Sequence, residues 1–70
     1  MVMTDINKRV GLNIRKFRHK KGWTQEGLSL ETGLHRAYVG QIERGEKNIG
    51  LKNLEKISKA LDVKVTKLLE

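Results

Sequence analysis

The chain of 70 residues contains no cysteine and no proline, and only one residue each of Phe, Tyr and Trp. Without cysteine, neither a disulfide framework nor a thiolate zinc site can supplement the small core of so short a chain. The two histidines, His19 and His35, lie too far apart in the sequence to suggest ligand spacing, so we expect no metal and no cofactor. A composition free of cysteine is typical of a reducing compartment, and we expect a cytoplasmic protein.

The sequence also lacks a long apolar run. No stretch approaches the roughly 18 consecutive apolar residues of a membrane span, and the start lacks the basic region and apolar run of a signal peptide. Paired catalytic carboxylates, a nucleophile with a histidine partner and a phosphate-binding loop are not found either, so we do not expect an enzyme. A basic amphipathic membrane peptide would need one long helix, which the glycine interruptions exclude.

Positive charge is what the chain has in excess: 15 Lys and Arg against 8 Asp and Glu give a formal net charge of +7. Such an excess in a short chain indicates a polyanionic partner, in the first place nucleic acid and in the second an anionic membrane surface. The alternative is that the charge only keeps the protein soluble. Composition alone leaves these alternatives open.

Leu, Ile, Lys and Glu recur at helical spacing, which predicts an all-α fold. Thr4 is the predicted N-cap of a first helix that ends at Gly22, and Thr24 is the predicted N-cap of a second helix over 25–32, which Gly33 terminates. We expect further helices at about 36–43, 51–61 and 65–69. Apolar stripes are predicted for the first helix (Ile6, Val10, Ile14, Phe17) and the fourth (Leu51, Leu54, Ile57, Leu61). Residues 1–70 are therefore predicted to form a single domain, a compact bundle of five short helices.

The segment 25–42 gives two helices joined by a turn of three or four residues, with Gly33 at the reversal, which is typical of a helix-turn-helix. The outward face of its second helix carries a cation, an amide and very small residues, a surface suited to a major groove. Gly40 lies on that face. Either it lets the helix backbone approach a base methyl or a phosphate, or it is tolerated at a cost of about 1 kcal/mol relative to alanine.

Four short motifs follow one another along the chain: "IRKFR" from Ile14, "GWTQ" from Gly22, "GL" from Gly33 and "IERG" from Ile42. Over residues 6–69 the chain resembles the helix-turn-helix domains of the phage-repressor (XRE-like) family. Its length, "AYVGQIERG" and the tail "KNIGLKNLEKISKALDV" look most like the controller proteins of restriction-modification systems. The resemblance implies a lambda-repressor-like DNA-binding fold with the helix-turn-helix at about 25–43.

The chain departs from the family pattern at Ser29, which replaces the usual alanine of the second helix, and at two positions that concern helix caps. Gly27 stands where an acidic residue or glutamine usually completes a capping box, so Thr24 is expected to cap its helix alone. His35 stands where serine, threonine or aspartate commonly caps the recognition helix, so the cap there is weakened or supplied by an imidazole nitrogen.

Three residues of the recognition helix are predicted to contact bases. Arg36 opens the helix, and its guanidinium suits a bidentate contact to guanine; the alternatives are a phosphate contact and a solvated arginine. Ala37 offers a methyl group to thymine, or is simply a good helix former. Gln41 is suited to adenine or, equally, to a phosphate.

A second group is predicted to contact the DNA backbone. The resemblance implies a phosphate contact for Gln25, where the amide adds to the helix N-terminus, and further backbone contacts in the loop after the recognition helix. Tyr38 is expected to bind a phosphate or to stack on a flexible base step, or, alternatively, to pack against the first helix. The resemblance also implies a partly buried ion pair between Arg18 and Glu43. The full set of predicted backbone contacts is Thr24, Gln25, Tyr38, Arg44, Lys47 and Asn48.

One recognition helix contacts about four or five base pairs, too few to specify a genomic site, so we expect a homodimer on a palindromic operator with half-sites about 34 Å apart. The predicted interface is Val65, Leu68 and Leu69 in the last helix, as in small members of the family. The alternative is that these residues complete the core of the monomer.

The predicted function is a sequence-specific transcriptional regulator that binds double-stranded DNA, of the restriction-modification controller type. The alternatives are a DNA-binding antitoxin that also binds a protein partner, and a phage-type repressor. Activation would require contact with RNA polymerase, for which Glu26, Glu31 and Glu46 are candidates because they are acidic and expected to be exposed.

Overall fold

The computed structural model describes residues 4–70, with side chains from Ile6 onward. Its elements are α1 (Thr4–Lys20), α2 (Gln25–Thr32), α3 (Arg36–Glu43), α4 (Leu51–Leu61) and α5 (Val65–Leu69). The predicted all-α fold with five helices is confirmed. The predicted capping of α1 by Thr4 depends on a side chain that lies outside the described residues.

Local signals place the turn between α2 and α3. The Thr24 side chain accepts a hydrogen bond from the backbone N–H of Gly27 at 3.0 Å, so Thr24 caps α2 alone. Gly33 ends the helix with φ of 76°, a left-handed conformation that glycine adopts without steric cost. His35 occupies the N-cap of α3, and its side chain makes no capping hydrogen bond.

All five helices contribute to the core. Its nearly or fully buried members are Val10, Ile14, Leu28, Val39, Ile42, Leu54, Ile57, Leu61 and Leu68. The predicted stripe of α4 is correct except for Leu51, which is 84% exposed. At 3.6 residues per turn Leu51 lies about 80° around the helix from Leu61, at the edge of the stripe. Ile6, at the start of the α1 stripe, is also exposed.

Helix α1 meets the end of α3 backbone to backbone. A Cβ atom at Gly11 would overlap the carbonyl oxygen of Ile42 and lie 2.6 Å from that of Glu43. One at Gly45 would lie 2.7 Å from Cγ of Lys8. Only glycine permits these approaches, so the two glycines set the position of α3 relative to α1.

Candidate nucleic-acid interface

Helix α3 is held in the core by Val39 and Ile42, which are 1% and 2% exposed. Arg36 and Ala37 are exposed, and Gln41 is half-buried. The three residues predicted to contact bases thus share the outer side of α3. A guanidinium, a methyl group and an amide placed together in this way can match the donors, acceptors and thymine methyl of a major groove.

A buried ion pair connects α1 to the end of α3. Arg18 donates from Nε to Oε2 of Glu43 at 2.7 Å and from Nη2 to Oε1 at 2.9 Å. The third guanidinium nitrogen, Nη1, donates to the carbonyl oxygen of Trp23 at 2.7 Å. The structure therefore contains the ion pair that the resemblance implies, and it is bidentate and buried on both sides rather than partly buried.

Gln25, the first residue of α2, is joined to the same pair. Its Nε2 donates to Oε1 of Glu43 at 3.1 Å, and the side chain is half-buried. Glu43 thus accepts from both Arg18 and Gln25. Sequence reasoning did not connect Gln25 with Glu43, because 18 residues separate them.

Arg44 forms a second ion pair, which is exposed. Its Nε donates to Oε2 of Glu46 at 2.7 Å, and the two side chains are 57% and 52% exposed. The hydrogen bond from Arg44, assisted by its positive charge, lowers the pKa of the Glu46 carboxyl, while the hydrogen bond to Glu46 and the carboxylate charge raise the pKa of Arg44. Both groups stay charged at neutral pH.

The side chains of Gln25 and Arg44 converge over Gly40. A Cβ atom built there would lie 3.1 Å from Nη1 of Arg44 and 3.4 Å from Oε1 of Gln25. The first element of the helix-turn-helix and the loop after it therefore meet at the middle of α3.

Tyr38 is half-buried and packs against the core cluster. Its hydroxyl oxygen accepts a hydrogen bond from Nδ2 of Asn53 in α4 at 3.0 Å. Because the oxygen accepts, the hydroxyl proton remains available to a further acceptor such as a phosphate. No sequence motif pointed to Asn53.

The remaining predicted backbone contacts lie at the surface. Thr24, Lys47 and Asn48 are exposed, and the hydroxyl oxygen of Thr24 is engaged in capping α2. Of the acidic candidates for a polymerase contact, Glu26 and Glu31 are exposed on α2, and Glu46 is paired with Arg44.

The predicted dimer residues differ in position. Leu68 is fully buried in the core, Val65 is half-buried against it, and Leu69 is 41% exposed. Asn13 of α1 donates to the carbonyl oxygen of Leu68 at 3.0 Å and holds α5 in place. Leu68 therefore fills the monomer core, which was the alternative interpretation, and only Leu69 and part of Val65 offer surface to a partner.

A helix-turn-helix family model, HTH_3, matches residues 14–68. The chain belongs to the helix-turn-helix family. The predicted resemblance to XRE-like domains is thereby confirmed. The match begins within α1 and ends in α5, so it includes the other helices of the bundle as well as α2 and α3.

Controller proteins are among the members of the helix-turn-helix family that are similar to this chain. The chain is 48% identical over 61 residues to the control protein C.BamHI of Bacillus amyloliquefaciens, and the match covers 86% of this chain and 75% of that protein. It is 45% identical over 65 residues to a hypothetical transcription factor of Neisseria meningitidis, covering 93% of this chain but only 61% of the relative's length. The crystal structure of the restriction-modification controller protein C.AhdI from Aeromonas hydrophila superposes with a TM-score of 0.85 at 42% identity, covering 91% and 96% of the two chains.

The side chains that the structure describes, from Ile6 onward, include no group of three or more His, Asp or Glu placed to hold a metal ion. None of the helices described is both long and apolar enough to cross a membrane.

Proposed function

We propose that this chain is a sequence-specific transcriptional regulator that binds a palindromic DNA operator as a homodimer, and that it acts as a restriction-modification controller protein. The observation that carries the proposal is the outer face of α3, where Arg36, Ala37 and Gln41 lie together. The similarity to C.BamHI and C.AhdI supports the choice of the controller type.

The proposed division of roles follows exposure. Arg36 and Ala37, both exposed, contact bases, with Gln41 at the edge of the same surface. Gln25, Tyr38, Arg44 and the exposed cation of Lys47 bind phosphates and fix the register of α3 on the duplex. Thr24 and Asn48, which are exposed, extend this backbone surface.

A homodimer is proposed because one α3 contacts about four or five base pairs, too few for a unique site. Its interface is the outer side of α5 around Leu69, with the exposed part of Val65. Glu26 and Glu31, exposed on α2, are the proposed contacts with RNA polymerase if the regulator activates transcription.

The test is selection of binding sites from a random DNA pool at about 0.15 M salt, near physiological ionic strength. We expect recovered molecules to share an inverted repeat whose half-sites lie about one helical turn apart. A single unrepeated half-site would contradict the homodimer. No enrichment at all would contradict a sequence-specific regulator and favour the antitoxin type, which needs a protein partner.

A further inference from the structure

Two leucines in the first two helices are exposed to solvent. Leu12 of α1 is 60% exposed and Leu30 of α2 is 77% exposed. A single exposed leucine is ordinary on a protein surface. Each of these two, however, lies among charged side chains of one sign, and the sign on α1 is opposite to the sign on α2.

The surface around Leu12 is basic. Arg15, Lys16 and His19 are exposed and lie within about 60° of Leu12 around the helix. The four side chains line one shallow depression. Between residues 6 and 20 the sequence has no acidic residue, and the ion pairs among the described side chains do not include Arg15 or Lys16. We call Leu12, Arg15, Lys16 and His19 the basic face.

Leu12 also borders a second depression, on the side of α1 that faces the end of α3. Lys8 and Arg44 line it and add positive charge beside the basic face. Glu43 lines it too, but its carboxylate is buried and bonded to Arg18. The basic face is therefore not neutralised from this side.

The surface around Leu30 is acidic. Glu26 and Glu31 are exposed and lie about 40° and about 100° around α2 from Leu30. Neither carboxylate belongs to an ion pair in the part of the chain that the structure describes. Arg36 borders this surface next to Glu26 without pairing with it. We call Glu26, Leu30 and Glu31 the acidic face.

The two faces complement each other but do not meet within one chain. Helices α1 and α2 both pack against α3 and α4, and the two faces point away from that core. Leu12 and Leu30 are both exposed, so neither covers the other. A second copy can bring one leucine against the other and the carboxylates beside the cations. Such a contact buries two apolar side chains and gives partners to charges that lack them.

We propose that the basic face of one copy binds the acidic face of a second copy. Because two different surfaces meet, each copy keeps one face for a further copy, as in a heterologous contact. The contact uses neither the outer side of α5, where the homodimer is proposed, nor DNA. The acidic face contains the residues proposed above to contact RNA polymerase, so an occupied face is closed to the polymerase.

The contact should be weak. Each face has only three or four residues, well below the size of a stable interface. The net charge of +7 also makes whole copies repel one another. We therefore expect half-association at a protein concentration of about 0.1 to 1 mM, the range of a weak and transient contact.

The first test follows the leucine methyl resonances in a ¹³C–¹H spectrum while the concentration of the natural protein is raised without DNA. The resonances of Leu12 and Leu30 should shift with one common midpoint, because each leucine covers the other. Leu51, which is 84% exposed on α4 and outside both faces, should stay in place. Shifts at only one of the two leucines, or at neither, would overturn the proposal and leave the faces to other proteins.

A pair of variants tests which face meets which. Leu12→Glu places a carboxylate in the basic face, and Leu30→Lys places a cation in the acidic face. Both sites are exposed, so both variants should melt like the natural protein. Each variant alone should need a concentration at least about tenfold higher to associate, the effect of losing a central contact residue.

Mixing the two variants should restore the contact, because Leu12→Glu keeps an intact acidic face and Leu30→Lys keeps an intact basic face. The Leu30 resonance of Leu12→Glu should therefore shift when Leu30→Lys is added, with the midpoint of the natural protein. A mixture that behaves like the separate variants would overturn the proposal.

Leu51→Glu and Leu51→Lys are the matched controls, because they change the net charge equally at an exposed leucine away from both faces. Leu12→Glu lowers the net charge, which by itself weakens the repulsion between copies and favours association. Loss of association in Leu12→Glu but not in Leu51→Glu thus reports the face itself, and equal behaviour would contradict the proposal. A failure here leaves the proposed function intact, since the selection of DNA sites does not depend on these faces.

Discussion

At the scale of single residues, Arg36 and Gln25 lie in different surroundings, and this predicts different effects on binding. Arg36 is exposed at the start of α3, whereas Gln25 is half-buried and anchored to Glu43. Arg36→Ala should cost about 1 to 3 kcal/mol on the operator and relax the preference at one base pair, while Gln25→Ala should weaken all sequences alike. The measurement is affinity for the operator and its single-base variants. Equal losses on operator and random DNA for Arg36→Ala would contradict a base contact.

The two Arg–Glu pairs differ in burial although the same atoms meet at the same distance of 2.7 Å. Glu43→Ala leaves the guanidinium of Arg18 buried without its partner and should lower the free energy of unfolding by about 3 to 5 kcal/mol. Glu46→Ala, which removes the exposed pair, should leave the free energy of unfolding unchanged within error. Urea unfolding of both variants measures the difference, and equal midpoints would contradict the importance of burial.

The exposed pair also predicts a direction for the pH dependence. Because Arg44 lowers the pKa of Glu46 in the folded state, any stabilisation by the pair is present above the usual pKa of a glutamate and lost as the pH falls through the lowered value. Solvent screening makes this contribution small, so Glu46→Gln and the natural protein should share one acid-unfolding profile. A clear separation of the two profiles, followed by circular dichroism, would show a stronger pair than its exposure allows.

At the scale of the elements, α1 and α3 are kept in contact by Gly11. Gly11→Ala would place a methyl group against the carbonyl oxygens of Ile42 and Glu43, which belong to the backbone and cannot move aside as a side chain can. We expect the free energy of unfolding to fall by about 1 to 3 kcal/mol, the usual range for overpacking. Gly27→Ala is the control and should be neutral or stabilising. A thermal melt of Gly11→Ala at or above that of the natural protein would contradict the close approach.

The elements themselves could be predicted from the sequence because their signals are local. Thr24 caps through Gly27, three residues away, and Gly33 ends α2 at the residue where the chain turns. The features that the sequence did not reveal join distant segments. Gly11 lies against the carbonyl oxygen of Ile42, and Asn53 donates a hydrogen bond to Tyr38. The residues next to Gly11 and Asn53 in the sequence do not indicate which distant residue each of them contacts.

At the scale of the whole molecule, α5 contributes to both the core and the outer surface. Leu68 is fully buried and Leu69 is 41% exposed, so neighbouring leucines should respond differently to the same change. Leu68→Asp should unfold the monomer, because it buries a charge without a partner. Leu69→Asp should leave the fold intact and convert the proposed dimer to a monomer in sedimentation equilibrium. A dimer unchanged by Leu69→Asp would place the interface elsewhere.

The interface prediction also illustrates the limit of the sequence at this scale. A short apolar segment such as 65–69 is equally consistent with a core and with an interface, because both bury leucine. The choice depends on where α1 and α4 leave space, and Leu68 fills that space. The spacing of apolar residues along the sequence does not show where the other helices leave such a space.

At Gly11 no side chain separates the backbone of α1 from the carbonyl groups at the end of α3, so α3 cannot tilt towards α1 without moving it. Because α3 is held against α1 in this way, a mismatch in shape between the protein and the DNA must be accommodated by the duplex. The duplex does so by bending, twisting or unstacking. The energy needed depends on the stiffness of the DNA, including base pairs that no side chain reaches. For the proposed dimer, changes in the spacer between the two half-sites should then alter affinity through the mechanics of the DNA.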